Sequence, residues 1–547
     1  MYNALLYYYY LMKAKFLPFL AIGVILLGQA LLLINRSDGD FVFGMDDAYY
    51  YYEIGRNIAL GHGATFDGEH LTNGYHPLWM GVVSLTYKIF PNHPTPIYIL
   101  QAIGIILFGG TLFVLLAILR RVTPNRAAQS LIIFIYALNP FTATMPIDGL
   151  ETSLAVFCFA LFFLTFLNTL SGRNTRNFVL LGIISGIMTL ARIDYAIFVV
   201  AAFVYLFFTI PSQKRLKFSV LFLLPCAILT GPWFLYNFFS FGSFFPSSGL
   251  AFTHINHQLF FTDEPRNVFE TFFWSVYQLS RTISSVLIYI GIPVPLYSHP
   301  PFVQLIEDFV FLIIGISLYY FLKKTKSISR IKNLFGMDAL ARTLLVLSFG
   351  LLIFTFIHGA IRWASRPWYF MTAPLLFVIF VPLLFTRVFP SVFSKKFKSL
   401  AIAIFLLLAG TQAFIYYPYY GSYLVPPKEP IPTYLAAQWI NENLPQDARI
   451  ASFNSGILGY YTNQFVMNSD GLVNNDVYSV MSKGERLWDF FQKEKIDYIV
   501  DNEISVSWRY KWFLGIDDPL SHLEVISSFT VPWESRSTNV YKIVSYD

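Results

Sequence analysis

The chain has 547 residues, of which 56% are hydrophobic and 13% are charged. A soluble domain carries about 25% charged residues, so this composition indicates a membrane protein with several spans rather than a chain of soluble domains. The net charge of +6 gives no reason to expect nucleic acid as a partner, and the two cysteines, both in apolar segments, exclude a disulfide framework or a cysteine metal cluster.

Eleven apolar stretches predict membrane spans, and the first of them is expected to be retained because it lacks a small-residue cleavage site. They cover residues 16–34, 97–119, 127–145, 152–170, 177–192, 195–210, 217–237, 302–322, 340–359, 368–387 and 399–418. With the N-terminus in the cytoplasm, the short cytoplasmic loops contain more than half of the lysines and arginines, as the positive-inside rule requires. The C-terminus then lies on the outer side.

Two further apolar stretches are predicted to lie at the membrane surface. The segment 76–90 is short for a span, and counting it as one would place Arg120, Arg121 and Arg126 outside. We therefore predict a juxtamembrane helix on the outer surface. The outer stretch Val268–Ile292 is predicted to be a second interfacial helix or a re-entrant one.

The composition changes after the proline-rich segment 426–432. We predict a transmembrane module of residues 1–427, whose first outer loop (hereafter the first loop) covers residues 35–96. Residues 428–547 read as a soluble α/β domain large enough to hold a core of its own. Its predicted elements are a helix at Thr433–Asn443 and short strands at Arg449–Phe453, Phe465–Asn468, Tyr498–Val500 and Val540–Val544.

The first loop carries two adjacent carboxylates, Asp46 and Asp47, directly before the run Tyr49–Tyr52. Acids are favoured at the start of a helix, so an N-cap with a first-turn acid is one interpretation. The other is a reactive pair at the lipid–water boundary. The second is favoured by the length of the loop and by the polar residues that follow at 61–79, since long loops of this kind are usually functional.

Several motifs of this chain resemble those of bacterial GT-C glycosyltransferases, polytopic enzymes that take a sugar from a polyprenyl-phosphate carrier on the outer leaflet. In the first loop they are Asp46-Asp47-Ala48-Tyr49-Tyr50-Tyr51, Asn57-Ile58-Ala59-Leu60-Gly61-His62-Gly63 and Thr72-Asn73-Gly74-Tyr75-His76-Pro77-Leu78-Trp79. Further matches are Gly149–Thr152, Ala191–Asp194, Asn454–Tyr460 and Asn468–Asn474. They are scattered over nearly the whole chain.

The resemblance implies roles for the first-loop residues. It makes Asp46 the base or acceptor-orienting group, with Asp47 as its neighbour. The related aminoarabinose and protein mannosyl transferases often carry Lys-Pro-Pro where this chain has Tyr75-His76-Pro77. His76 therefore replaces the expected phosphate-facing lysine, and an imidazole is charged only part of the time near neutral pH.

Transfer of a sugar from a lipid phosphate needs a base for the acceptor and positive groups for the departing phosphate. Arg362 and Arg366, followed by Tyr369 at the outer end of a span, are the candidates for the second task. The planar guanidinium donates two parallel hydrogen bonds to a phosphate. The alternative is that both arginines snorkel to the interface beside their tryptophan neighbours.

Two more pairs could contact substrate or serve the structure alone. Glu151 and Asp148 lie at the outer mouth of a span, where acids are functional candidates or cap the following helix. Arg192 and Asp194 lie between two spans, and they either meet substrate or close the turn as a local ion pair. We keep Glu151 and Arg192 as candidate substrate-binding residues.

Two weaker signals lie elsewhere in the outer segments. His254 and His257 are three residues apart, but two histidines without a third ligand are weak evidence for a metal, and we interpret them as ordinary loop residues. Asp470 and Asn474 either face the membrane site or belong to an Asp-Gly turn.

These features predict a GT-C-like bacterial inner-membrane enzyme with a periplasmic C-terminal domain, a hexosyl- or pentosyltransferase that works by an inverting displacement. The donor is expected to be a polyprenyl-phosphate sugar and the acceptor a glycan, a lipid or a protein. No metal site is predicted and no cofactor is certain, although carboxylate oxygens of the site leave a divalent cation open. A transporter or flippase for a lipid-linked sugar is the alternative, and it would need Gly/Pro-broken spans and charges near the midplane.

Overall fold

The computed structural model describes residues 2–36, 45–259, 267–292, 301–325, 327–388, 407, 410–411, 413–417, 430–532 and 534–546. The helices are α1 (Tyr2–Ile34), α2 (Asp46–Leu60), α3 (Pro77–Ile89), α4 (Thr95–Val122), α5 (Arg126–Ala137), α6 (Pro140–Thr144), α7 (Thr152–Ser171), α8 (Thr175–Ala191), α9 (Ala196–Thr209), α10 (Ser212–Phe241), α11 (Ser247–Gln258), α12 (Val268–Tyr289), α13 (Pro301–Lys324), α14 (Ser327–Met337), α15 (Ala339–Phe356), α16 (Thr372–Arg387), α17 (Pro432–Asn443), α18 (Gly456–Tyr461), α19 (Asn475–Lys483), α20 (Leu487–Lys493) and α21 (Lys511–Leu514). The strands are β1 (Arg449–Ser452), β2 (Phe465–Asn468), β3 (Tyr498–Asp501), β4 (Leu523–Val531) and β5 (Glu534–Ile543).

Within these residues, six helical segments are long and apolar enough to cross a membrane, and one bent pair would make a seventh. The six are Phe16–Ile34, Thr95–Val122, Thr152–Ser171, Ser212–Phe241, Ala339–Ile361 and Pro367–Arg387, and the pair is Arg126–Ala137 with Pro140–Ile147. All of them coincide with predicted spans. The protein is therefore a multi-pass membrane protein.

The predicted count of eleven spans is not confirmed. Residues 177–192 and 195–210 fall in the shorter apolar helices Thr175–Ala191 and Ile193–Thr209. Seventeen residues of helix extend about 26 Å, which is less than the hydrocarbon thickness of about 30 Å. Residues 302–322 lie in α13, which is not among the six, and most of 399–418 lies outside the described residues.

The bent pair has a local cause. Asn139 accepts a hydrogen bond from the Phe141 backbone N–H and so starts a new helix at Pro140, whose missing N–H cannot continue α5. The two helices meet at 72°. The chain then turns through Gly149, where an added Cβ would lie 2.2 Å from the Tyr52 hydroxyl. This close approach of the turn to α2 places the start of α7 beside the first loop.

The surface stretch predicted at 76–90 forms the helix α3. It packs against α2, and Gly55 permits the close approach because a Cβ there would lie 2.5 Å from Val83. The indole of Trp79 donates a hydrogen bond to the Gly149 carbonyl at 3.1 Å. α3 thus joins the first loop to the turn before α7, while its position relative to the bilayer stays a prediction, as does that of α12.

The C-terminal residues form a small five-stranded sheet in the order β2-β1-β3-β5-β4. β1 pairs in parallel with β2 and with β3, whereas β5 runs antiparallel to β3 and β4. The carboxyl ends of the three parallel strands therefore meet at one edge, with β1 in the middle. In sheets of this kind, ligands bind at the carboxyl edge where the strand order reverses.

The predicted strands of this domain are largely found, and one more is added. β1, β2 and β3 lie within one residue of the predicted ranges, and β5 begins earlier than predicted, at Glu534. The edge strand β4 was not predicted. Most of its side chains are partly or fully exposed, so it lacks the clear apolar alternation that marks a half-buried strand.

Candidate active site

A cavity of about 820 Å³ lies between the helical part of the chain and the C-terminal domain. It has the size of an ordinary small-molecule site. All nine candidate residues from the sequence line it, namely Asp46, Asp47, Tyr75, His76, Glu151, Arg192, Arg362, Arg366 and Tyr369. Residues scattered over more than 300 positions are thus brought together.

Asp46 is held at the start of α2 by the C-terminal domain. Its two carboxylate oxygens accept hydrogen bonds from the backbone N–H groups of Gly456 (3.2 Å) and Ile457 (2.8 Å). Burial raises the pKa of Asp46 to about 6, although these two bonds act in the opposite direction. The carboxylate is therefore both oriented and poised to exchange a proton near neutral pH.

Asp47 is less constrained than its neighbour. None of the described residues donates a hydrogen bond to its carboxylate, which lines the cavity. Burial raises its pKa, the charge of Arg366 lowers it, and that of Glu151 raises it. Asp47 therefore lies in the first turn of α2, where the charged groups of Arg366 and Glu151 act on it. Its carboxylate oxygens are available to a ligand.

A network of buried ionic contacts lines one part of the cavity. Arg192 binds Glu151 at 2.6 Å and Asp194 at 2.9 Å, and its side chain is only 2% exposed. Asp194 in turn meets His358 at 3.2 Å, and Glu151 meets His76 at 3.5 Å. The local ion pair of Arg192 with Asp194 does form, and it is extended by Glu151, so these groups mainly hold one another in place.

His76 is embedded in this network on both sides of its ring. Nδ1 accepts a hydrogen bond from the Ile193 backbone N–H at 3.3 Å, while Nε2 faces Glu151. Its own backbone N–H donates to the Tyr51 hydroxyl, which donates to Glu151 at 3.0 Å. Burial lowers the pKa of His76, the largest of several influences on it. This geometry favours a neutral, positioning histidine over the phosphate-facing cation expected from the sequence.

Arg362 and Arg366 line the cavity without a carboxylate within ion-pair distance among the described residues. Arg362 donates to the Thr253 hydroxyl and to the Gly249 carbonyl of α11, both at 3.2 Å. Arg366 lies over the rings of Phe252 and Trp368, with centroid distances of 5.0 and 5.8 Å. Two guanidinium groups that keep their positive charge uncompensated make an anion-binding surface.

The backbone at these arginines is unusual. α15 ends in a wide π-type turn, Ile357–Ile361, and Trp363 then adopts a left-handed conformation with φ of 51°. A bulky residue rarely takes this conformation, which costs free energy and tends to be kept at functional sites. The turn directs the segment back over α11, where Asn256 donates to the Trp363 carbonyl at 3.1 Å.

The first-loop motif Thr72–Trp79 connects the first loop to α11 and to the C-terminal domain. The side-chain oxygen of Asn73 accepts from the Ser247 backbone N–H and from Asn475, both at 3.0 Å. At Gly74 an added Cβ would lie 1.9 Å from the Leu472 carbonyl oxygen. The motif that resembled a catalytic element therefore also locks the first loop to α11 and to the C-terminal domain.

The C-terminal domain contributes side chains that the sequence identified only in part. They are Asn454, Asp470, Tyr478, Arg509 and Tyr510. Asp470 was weighed from the sequence, and Asn454 was quoted within a motif. The signal that could have found more of them is their position in the segments that follow the predicted strands. His254 and His257 on α11 also line the cavity, and they hydrogen-bond to the backbone carbonyls of Met481 and Ile361.

Residues 76–236 match the model of a family described as dolichyl-phosphate-mannose-protein mannosyltransferase. Residues 431–543 match a second family, described as a domain of unknown function (DUF8728). No curated protein matches the chain significantly. The first match covers His76, Glu151 and Arg192 of the site and confirms the resemblance drawn from the sequence. The matched segment is similar to membrane glycosyltransferases of the GT-C type.

Proposed function

We propose that this protein moves a sugar from a polyprenyl-phosphate donor to an acceptor on the periplasmic face of a bacterial inner membrane. The observation that carries the proposal is a single cavity with the carboxylates of Asp46 and Asp47 on α2 and two uncompensated guanidinium groups, Arg362 and Arg366, beyond α11. This combination supplies a base for an acceptor and a positive surface for a leaving phosphate.

The donor phosphate is assigned to the arginines. The Arg366 guanidinium donates no hydrogen bond to any of the described residues, so its donors are free for a phosphate oxygen. Arg362 is fixed by its bonds to α11 and adds charge from the same segment. Tyr369 lies beside them, and Arg192 stacks over its ring at 4.6 Å. In this mechanism the ion pair of Glu151 with Arg192 holds the neighbouring side chains of the cavity in place. It does not bind the phosphate itself.

The reaction is a direct displacement at the anomeric carbon. The acceptor oxygen forms a bond to this carbon while the bond to the phosphate oxygen breaks, and the phosphate leaves with the electron pair. Asp46 takes the acceptor proton, which its ionised form can do above a pH of about 6. Asp47 accepts a hydrogen bond from the acceptor and orients it. One displacement of this kind inverts the anomeric centre.

A divalent cation was left open by the sequence. Among the described residues no three His, Cys, Asp or Glu side chains converge as a metal site requires. Glu151, the third carboxylate considered for such a site, is bound to Arg192. We therefore route no step of the reaction through a metal ion.

The proposal is tested with purified protein in lipid nanodiscs. The donors are polyprenyl-phosphate sugars extracted from cells grown on ¹⁴C-glucose, and the readout is release of the labelled sugar to water or acceptor. Asp46→Asn keeps a side-chain oxygen toward Gly456 and Ile457 but removes the base, so we expect a loss of at least a hundredfold. Asp489→Asn, at an exposed position of α20 in the C-terminal domain, is the matched control.

Two results would contradict the proposal. One is wild-type turnover in the Asp46→Asn protein. The other is the absence of sugar release from every donor together with donor-dependent movement of labelled lipid across proteoliposomes, which would favour the flippase alternative.

A further inference from the structure

The C-terminal domain presents a mixed polar and aromatic wall to the cavity. Asn454 lies two residues after the end of β1, and Asp470 lies two residues after the end of β2. Arg509 is the last residue of a π-helical turn, Ser505–Arg509, that follows β3. Because these strands are parallel, their carboxyl ends lie together, and Tyr478 and Tyr510 complete the same surface. This is the edge at which α/β sheets bind ligands, and here it faces the proposed transfer site.

Asp470 is the acidic member of this wall. Its side chain is 5% exposed, and one oxygen accepts the Leu472 backbone N–H at 2.9 Å. Burial raises the pKa of Asp470 to about 7, with a further increase from the charge of Asp47 and a decrease from that of Arg509. A carboxylate offers about four acceptor positions, so Asp470 can still receive hydrogen bonds from a ligand.

Arg509 supplies the donors. Its Nε is buried and has no hydrogen-bond partner among the described residues. The guanidinium lies 5.5 Å from the ring centroid of Tyr510, which is stacked flat on Phe453 at 4.1 Å. A buried, unpaired donor beside a cavity calls for a ligand atom or water, since leaving it unsatisfied costs free energy.

Asn454 is fixed so that its oxygen stays free. Its Nδ2 donates to Asp501 at 2.9 Å and to Ser505 at 3.2 Å. Its backbone N–H also donates to Asp501. With the amide hydrogens committed to the domain, the side-chain oxygen is left as an acceptor that cannot turn away from the cavity.

We propose that this wall is the acceptor subsite and that the acceptor is a carbohydrate with adjacent hydroxyl groups. The inference rests on the proposed function. Each sugar hydroxyl donates one hydrogen bond and accepts others, and Asp470, Asn454 and Arg509 offer both kinds of partner side by side. A single serine or threonine hydroxyl of a peptide would leave most of them unpaired. Tyr478 and Tyr510 also line the cavity, and an aromatic ring suits the apolar face of a sugar ring.

The subsite lies next to the proposed base because the same domain holds both. The N–H groups of Gly456 and Ile457 bind Asp46, and the charge of Asp47 raises the pKa of Asp470. An acceptor on this wall therefore has a hydroxyl beside the carboxylates of α2, while Arg362 and Arg366 belong to a different segment of the lining. In this arrangement the donor and the acceptor bind to different segments of the chain.

The test compares wild-type protein with Asp470→Asn and Arg509→Gln, using Asp489→Asn as the control and thermal unfolding to verify that each variant is folded. The ¹⁴C-labelled polyprenyl-phosphate sugars are offered with three fractions of the cell envelope: carbohydrate, delipidated protein, and lipid without sugar. We expect label in the carbohydrate fraction, and at least a tenfold loss in both variants through a higher KM for that fraction. Release of sugar to water is expected to fall less than transfer to the carbohydrate fraction, because water needs no acceptor subsite.

A second measurement keeps the two proposals separate. Equilibrium dialysis of the labelled carbohydrate fraction against the protein reports acceptor binding without turnover. Binding that depends on Asp470, in a protein that releases no sugar from any donor, would refute the proposed transfer and leave the subsite standing. Three other results would refute the subsite alone. One is label in the protein fraction or in the sugar-free lipid, and another is an equal loss of water release and of transfer in the variants. The third is transfer of sugar to carbohydrate whose binding does not depend on Asp470.

Discussion

The contact between Gly456 and Asp46 allows the role of the C-terminal domain to be tested by adding a single carbon. In Gly456→Ala the new Cβ would lie 2.2 Å from the Asp46 backbone oxygen and 2.9 Å from its carboxylate. Ordinary contact begins at 3.4 Å, so the start of α2 and the start of α18 must move apart by more than 1 Å. The two hydrogen bonds to the carboxylate then lengthen or break.

The size of the effect follows from these bonds. A hydrogen bond to a charged group contributes roughly 1.5–3 kcal/mol, and one pKa unit corresponds to about 1.4 kcal/mol. Because both bonds favour the ionised form, weakening them raises the pKa of Asp46 from about 6 by about one to two units. The base works only when ionised, so the acidic limb of kcat/KM moves upward and sugar release at pH 6.5 falls by about tenfold.

Two measurements report this shift. One is the pH profile of kcat/KM for sugar release, and the other is an infrared titration of the carboxyl band that disappears in Asp46→Asn, which needs no substrate. The control is Gly81→Ala in α3, where an added Cβ meets nothing within 4 Å. An unchanged acidic limb and an unchanged carboxyl band in a folded Gly456→Ala protein would refute the assignment of Asp46 as a base held by this domain.

Three further outcomes are expected. Arg366→Gln removes an uncompensated charge from the cavity and should weaken binding of the donor lipid at least tenfold, measured by scintillation proximity on nanodiscs; unchanged affinity removes Arg366 from the phosphate site. Arg192→Leu leaves Glu151 and Asp194 buried without their cation and should lower the free energy of unfolding by about 3–5 kcal/mol, and a loss below 1 kcal/mol would show that water reaches the network. Asn73→Ala should speed hydrogen exchange in α11 and α19, since its hydrogen bonds are lost, and equal exchange rates would mean that the other contacts suffice.

The sequence predicted most of the elements because they depend on local patterns. Apolar length is enough to find a span such as Thr95–Val122, and short runs rich in Val, Ile and aromatics find strands such as Tyr498–Asp501. The count of eleven spans is not confirmed where the length of a helix is marginal, as in Thr175–Ala191. The bend after Ala137 was not predicted either, although Asn139 and Pro140 carry a helix-start signal that the apolar run concealed.

The site was predicted as a set of residues but not as a set of contacts. All nine candidates reach the cavity, yet the pairing of Arg192 with Glu151 joins positions 41 apart, and that of Asp46 with Ile457 joins positions 411 apart. No local pattern encodes such pairings. The neutral character favoured for His76 likewise depends on burial and on the N–H of Ile193, which become visible only in the folded chain.

The bond between Asp46 and the Gly456 N–H has a consequence for how the protein is made. The two residues are 410 positions apart, and translation proceeds at about 5–20 residues per second. The carboxylate is therefore synthesised roughly 20–80 s before the group that orients it. During that interval most of the spans can insert while the site is incomplete, so a chain that is truncated before the last domain carries every first-loop motif and still has a misaligned base.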